Sequence, residues 1–84
     1  MTLADRVSAL KAQPWYRGYF EGTTVAETQK VETAYCVLDE GTGDLKVFIN
    51  PDWVANLDRG ELVDVIRHYT GRRRAWLAER QASS

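Results

Sequence analysis

The chain has 84 residues, 44% of them hydrophobic and 27% charged, which suits one globular domain with a small core. Its single cysteine, Cys36, excludes an internal disulfide framework, and no apolar run approaches the ~20 residues that cross a bilayer. The net charge of −1 is unevenly distributed, because residues 67–84 carry +4 and residues 1–66 carry −5. We therefore predict a cytoplasmic protein without a membrane segment, whose basic end either meets an anionic partner or complements a helix dipole.

The first 22 residues predict a helical and aromatic arm. Thr2 is a good N-cap, and a stripe of apolar residues at helical spacing follows it, formed by Leu3, Val7 and Leu10. Pro14 stops or kinks this helix near residues 12–13, because proline removes a backbone donor. The segment after it is either a second short helix, which Pro14 can begin, or an extended strand.

The middle of the chain predicts a small antiparallel sheet over residues 23–50. Residues 31–38 alternate between two faces and residues 45–49 form a second apolar strand, with a glycine-containing turn between them. This pattern is typical of a hairpin. Residues 23–25 favour a further strand, so that we expect two to three antiparallel strands.

A long helix is predicted over residues 58–80. Asp58 and Glu61 have the spacing of a capping box. The buried stripe is expected to contain Leu62, Val65, Ile66, Tyr69, Arg73, Trp76 and Leu77. The whole chain, residues 1–84, is thus predicted to be one α+β domain with an N-terminal helix, a small antiparallel sheet and a long C-terminal helix.

The arginines of this helix are the main candidates for a binding site. At about 100° per residue, Arg67 and Arg74 lie almost in line, Arg72 lies on a flank, and Arg73 points toward the apolar stripe. Arginines here can contact phosphates, but they can also complement the helix dipole or pack at a dimer interface, as Arg73 would against a partner's Trp76. The sequence leaves both interpretations open.

Residues 15–20 hold four aromatic side chains and Arg17. Aromatic rings beside a cation can stack on nucleobases, although such rings more often anchor a core or an interface. We expect them to contribute to a dimer or partner interface, whose predicted members are Trp15, Tyr16, Tyr19, Phe20 and Trp76.

Catalytic chemistry has little support in the sequence. His68 is the only histidine and is expected on the surface, and Cys36 lies inside a strand without a basic neighbour to activate it. A metal site needs several converging ligands, which no spacing here suggests. We therefore predict a protein that is not an enzyme and has no cofactor and no metal.

The order of elements from residue 31 to residue 79 resembles the YbaB/EbfC family of nucleoid-associated proteins. An amphipathic strand and a glycine-containing turn lead to a second strand, which runs directly into Asn50-Pro51-Asp52, where the family typically has an Asp-Pro step. A long helix with basic residues in its second half follows. Thr23-Thr24-Val25-Ala26 would be the first strand. The chain departs from the family in its first helix, which Pro14 interrupts.

This resemblance implies an intertwined homodimer in a bacterial cytoplasm, associated with the nucleoid, which binds double-stranded DNA with weak sequence preference. The residues expected to contact phosphates are Arg67, Arg72, Arg74 and Arg80, with Arg6, Lys11 and Arg17 contributing from the N-terminal arm. The alternative is a protein-interaction module of the adaptor, chaperone-like or immunity type, which uses residues 15–20 to hold a protein partner.

Overall fold

The computed structural model describes residues 2–83, in which helices precede and follow three strands along the chain. The elements in chain order are helix α1 (Leu3–Lys11), helix α2 (Pro14–Arg17), one 3-10 turn (Gly18–Phe20), strands β1 (Thr23–Glu27), β2 (Ala34–Leu38) and β3 (Leu45–Ile49), helix α3 (Pro51–Val54) and helix α4 (Arg59–Ser83). The predicted α+β class, with its N-terminal helix, small sheet and long C-terminal helix, is confirmed.

Local capping signals set both ends of the N-terminal helices. The hydroxyl of Thr2 accepts from the backbone N–H of Asp5, and the Asp5 carboxylate accepts from the backbone N–H of Thr2, at 3.1 Å each. Hydrogen bonding to the charged carboxylate, first by the Thr2 backbone N–H and then by the Thr2 side chain, lowers the pKa of Asp5 below its ordinary value. Helix α1 ends at Lys11, and Pro14 begins α2 because a first helical residue needs no N–H donor. The chain therefore restarts a helix here instead of extending.

The sheet has the strand order β1-β3-β2, with β3 in the centre. Strands β2 and β3 form the expected antiparallel hairpin, in which Cys36 lies opposite Val47. Strand β1 instead pairs in parallel with β3, so the prediction of an entirely antiparallel sheet was wrong for this pair. The connection over residues 28–33 explains this pairing. It crosses the end of β3, so that β2 pairs with the edge of β3 opposite to β1. The backbone N–H of Thr28 donates to Ile49 on the way, at 3.0 Å.

One face of the sheet carries the core and the other face is uncovered. Alternate residues of β3 are fully buried and pack with both long helices; the core includes Leu45, Val47, Ile49, Leu62, Ile66, Leu3, Val7 and Leu10. On the outer face, the rings of Tyr35 and Phe48 stack with centroids 4.9 Å apart, and Val37 is 52% exposed. The fold therefore has two layers, and the outer layer is the sheet itself.

Helix α4 begins with the predicted capping box. The backbone N–H of Glu61 donates to the Asp58 carboxylate at 2.8 Å, and that of Asp58 donates to the Glu61 carboxylate at 3.1 Å. These bonds satisfy donors that the first helical turn leaves unpaired. No helix within residues 2–83 has both the length and the apolar character needed to cross a membrane.

Candidate functional site

Four arginines of α4 form two pairs, each with a spacing of seven residues. Side chains seven residues apart lie on the same side of a helix, about two turns from each other. Arg73 and Arg80 face the turn over residues 39–44, whereas Arg67 and Arg74 face the aromatic residues that follow α1. The two pairs therefore have different surroundings.

The first pair attaches the β2–β3 turn to the helix. The Nε–H of Arg73 donates to the carbonyl of Gly43 at 2.7 Å, and an Nη–H of Arg80 donates to the carbonyl of Glu40 at 2.8 Å. Arg73 also packs against Gly22, where an added Cβ would lie 2.5 Å from the guanidinium. Arg73 is thus a packing residue within its own chain, as its position beside the apolar stripe predicts.

The second pair meets at one tyrosine ring. The guanidinium carbons of Arg67 and Arg74 lie 5.6 and 5.7 Å from the centroid of the Tyr19 ring. Both side chains are exposed, and neither has a carboxylate partner in the part of the chain that the structure describes. A guanidinium that rests on a ring uses its flat face and keeps its N–H groups for other acceptors. These two arginines can therefore bind an anion without giving up an existing partner.

The same arrangement continues toward the start of α4. The guanidinium of Arg59 lies 5.6 Å from the ring of Tyr16, and the rings of Tyr16 and Tyr19 are 6.4 Å apart. We call the set formed by Tyr16, Tyr19, Arg59, Arg67 and Arg74 the arginine–tyrosine surface. The sequence reasoning missed Arg59, because its contact depends on how α2 packs beside α4 and no local pattern encodes that packing.

The remaining predicted cations of the N-terminal arm are placed elsewhere. Arg6 donates to the backbone carbonyls of Val54 and Leu57 at 2.8 and 2.7 Å, where it satisfies acceptors at and just beyond the end of α3. Lys11 lies 5.5 Å from the ring of Phe20 and lines an open depression together with Arg17. Arg6 also lines a depression together with Arg59, whereas Arg67 and Arg74 meet at the ring of Tyr19.

Two more arginines of α4 lie apart from the arginine–tyrosine surface. Arg72 is exposed and lies about 160° round the helix from Arg74 at 100° per residue. Arg80 is held by the β2–β3 turn, and its guanidinium also lies 4.8 Å from the ring of Trp76. Of the seven cations predicted to contact phosphates, the structure brings only Arg67 and Arg74 to one ring.

The predicted interface aromatics divide by exposure. Phe20 is buried in the core of its own chain, and Tyr16 and Tyr19 are half-buried beneath arginines. Trp76 is half-buried beside the β2–β3 turn. Only Trp15 is largely open, at 66% exposure.

His68 and Cys36 have different surroundings in the structure. His68 is exposed, with its ring 5.1 Å from that of Tyr69, and Cys36 is half-buried in β2 against the core. Within residues 2–83, no three His, Cys, Asp or Glu side chains converge in the way a metal site requires. The glycine-containing segment over residues 39–44 joins two strands, as predicted.

The arginine–tyrosine surface is the strongest candidate site in the molecule, because it gathers exposed cations that have no carboxylate partner within residues 2–83. Comparison of the chain with family models, with curated proteins and with solved structures found no match.

Proposed function

We propose that this chain is a non-enzymatic DNA-binding protein whose arginine–tyrosine surface contacts the phosphates of duplex DNA with weak sequence preference. The observation that supports the proposal is the pair of exposed guanidiniums of Arg67 and Arg74 against the ring of Tyr19, without a carboxylate partner in the described chain. Carboxylates would neutralise such a pair on an ordinary solvated helix face.

The spacing of the two guanidiniums suits a phosphate backbone. Because each guanidinium carbon of Arg67 and Arg74 lies within 5.7 Å of the same ring centroid, the two carbons are at most about 11 Å apart. A duplex carries one charge per ~1.7 Å of axis, so a separation well below this upper limit already spans more than one phosphate. Arginine forms bidentate hydrogen bonds to phosphate, and phosphate contacts carry no direct sequence information. Weak sequence preference follows.

The tyrosine rings favour binding by ordering the cations in advance. A free arginine loses rotamer freedom when it binds, at a cost of about 0.5–1.5 kcal/mol per side chain. Arg67 and Arg74 are already placed over Tyr19 and Arg59 over Tyr16, which reduces that cost. A bare arginine run on a polar helix would lack this advantage.

Homodimer formation and association with a bacterial nucleoid remain part of the proposal through the resemblance to the YbaB/EbfC family. The uncovered outer face of the sheet favours the dimer, because stacked Tyr35 and Phe48 with exposed Val37 place apolar groups on that face. A second copy on this face would leave the arginine–tyrosine surface, which involves α2, the 3-10 turn and α4, free to bind DNA.

The second candidate function is a protein-interaction module that uses residues 15–20. Phe20 is buried and arginines cover both tyrosines, so Trp15 is the only large apolar group that this segment offers a partner. Partner binding through this segment would then depend on Trp15 and be insensitive to salt. DNA binding depends on the arginines and weakens with salt, which distinguishes the two functions.

The proposal is tested by titrating labelled duplex DNA at several salt concentrations from ~50 mM upward. The double variant Arg67→Gln/Arg74→Gln removes two phosphate contacts and should reduce the slope of log K against log salt by about 2, at 0.9 per contact. Arg72→Gln is the control for the single variant Arg74→Gln, since each removes one charge from the same helix on a different side. Absence of binding by the unmodified protein at ~50 mM salt, or equal losses in these two single variants, would refute the proposal.

A further inference from the structure

Trp15 is the large aromatic side chain that the fold leaves open beside the arginine–tyrosine surface. It is 66% exposed, and its ring meets the edge of the Tyr16 ring, with centroids 6.1 Å apart and planes at 68°. Guanidiniums lie over Tyr16 and Tyr19, but none lies over Trp15 among the residues that the structure describes. The indole therefore has a free aromatic face next to a row of cations.

The backbone holds Trp15 in this position. Pro14 begins α2, and its fixed φ places Trp15 in the first turn of that helix. The centroid distances of 6.1 Å from Trp15 to Tyr16 and 6.4 Å from Tyr16 to Tyr19 make Tyr16 a neighbour of both other rings, and we call these three rings the aromatic row. The row ends at Trp15 in a free apolar face and at Tyr19 in paired cations. Its chemistry suits a ligand that joins a flat aromatic group to a chain of phosphates.

We infer that Trp15 stacks on an unpaired nucleobase, so that this surface binds single-stranded nucleic acid more tightly than duplex. The inference rests on the proposed function, because Arg59, Arg67 and Arg74 must hold the phosphates of the same strand. Bases inside a duplex are already paired and stacked on their neighbours, and they offer Trp15 no face. Every base has an aromatic face, so this contact also carries little sequence preference. The inferred contacts are to bases and phosphates and not to the sugar, so single strands of DNA and of RNA are both expected ligands.

The test compares labelled oligo-dT and oligo-rU of about 20 nucleotides with a duplex of the same length, by fluorescence anisotropy in one low-salt buffer. Trp15→Ala should weaken binding to both single strands by about 5- to 150-fold and leave duplex binding within twofold. Trp15→Phe, which keeps a smaller ring, should recover part of the loss. His68→Ala is the control, because His68 also carries an exposed ring on the surface but lies beside Tyr69, outside the arginine–tyrosine surface.

Each outcome separates this inference from the proposed function. If Trp15→Ala binds single strands as tightly as the unmodified protein does, the stacking role is refuted while duplex binding can still stand. An equal loss on single strands and duplex shows that Trp15 shapes the surface instead of stacking, and this also refutes the inference. If the unmodified protein binds neither form of nucleic acid, the inference and the proposed function fail together. Circular dichroism and a thermal melt of Trp15→Ala confirm that it is folded.

Discussion

Replacing Arg72, Arg73 and Arg74 with methionine, one at a time, tests whether each of these consecutive arginines has a different role. Methionine keeps an unbranched apolar stem and has a similar helix propensity, but it has no charge and no N–H donor. We expect Arg73→Met to reduce stability strongly, Arg74→Met to reduce DNA binding with a small loss of stability, and Arg72→Met to change neither by much. The three sites are adjacent in sequence, so a general effect of lost charge would act on all three alike.

The magnitude for Arg73 follows from its contacts. Its Nε–H donates to the Gly43 carbonyl at 2.7 Å, and Gly43 is itself buried. A hydrogen bond to a charged group contributes about 1.5–3 kcal/mol, and an unsatisfied buried acceptor costs a similar amount. We therefore expect Arg73→Met to lower the free energy of unfolding by about 2 kcal/mol, or the melting temperature by about 8–16 °C in a domain of this size.

The losses of stability expected for Arg74→Met and Arg72→Met are smaller than that for Arg73→Met. Arg74→Met loses an exposed contact with the Tyr19 ring, which is worth about 0.5–1 kcal/mol. Arg72→Met changes an exposed side chain without a described partner and should stay within about 0.5 kcal/mol. Chemical denaturation followed by circular dichroism measures all three free energies, and a DNA titration follows on each folded variant. If Arg73→Met and Arg72→Met have the same stability, Arg73 does not anchor the β2–β3 turn and our reasoning is wrong.

Three further predictions concern the rest of the fold. Gly71→Ala should stabilise the protein by about 1 kcal/mol in chemical denaturation, because Gly71 is exposed inside α4 and an added Cβ meets no atom within 4 Å; a loss of stability would contradict this. The stability that the Asp5 carboxylate contributes is fully present above its unfolded pKa and is lost as pH falls through the lower folded pKa, so the difference between the unmodified protein and Asp5→Asn should shrink below about pH 4; a difference that is constant down to pH 2 would contradict the capping role. Val37→Lys should shift a homodimer to monomer in light scattering with unchanged circular dichroism, and a dimer that persists would show that the outer face of the sheet is not the interface.

The helix boundaries were predictable because their signals are local. Thr2 and Asp58 cap the two long helices through residues three positions away, as the sequence spacing indicates. Pro14 ends one helix and begins the next for a reason that involves only its own backbone. Each of these features depends on a few neighbouring residues, so one sequence is enough to recognise it.

The strand order β1-β3-β2 could not be predicted from the sequence, because it depends on the path that the connection between β1 and β2 takes in the folded chain. The alternation of β2 and β3 correctly indicated a hairpin, but β1 carries no signal that distinguishes parallel from antiparallel pairing. Val25 lies opposite Val47 only because residues 28–33 pass the end of β3. The contact of Arg59 with Tyr16 is non-local in the same way, as it depends on two helices that meet only in the folded chain. The sequence did predict that Arg73 faces a different direction from Arg67 and Arg74, because the angle of about 100° between successive residues is fixed within one helix.

The charge of +4 on residues 67–84 overstates the number of cations that can contact DNA. Arg73 and Arg80 add to the positive field, but each already donates one N–H to a backbone carbonyl of the β2–β3 turn. The electrostatic field of a charge extends about 10 Å at 0.1 M salt. Counterion release, which sets the salt dependence of binding, depends instead on the number of phosphates that the protein contacts. Under the proposed function, Arg67 and Arg74 over Tyr19 and Arg59 over Tyr16 supply three contacts. Three contacts would give a salt slope near −3 for each chain, whereas seven contacts would give a slope near −6. The salt dependence therefore measures how α4 distributes its arginines between the fold and the binding surface, which the net charge cannot show.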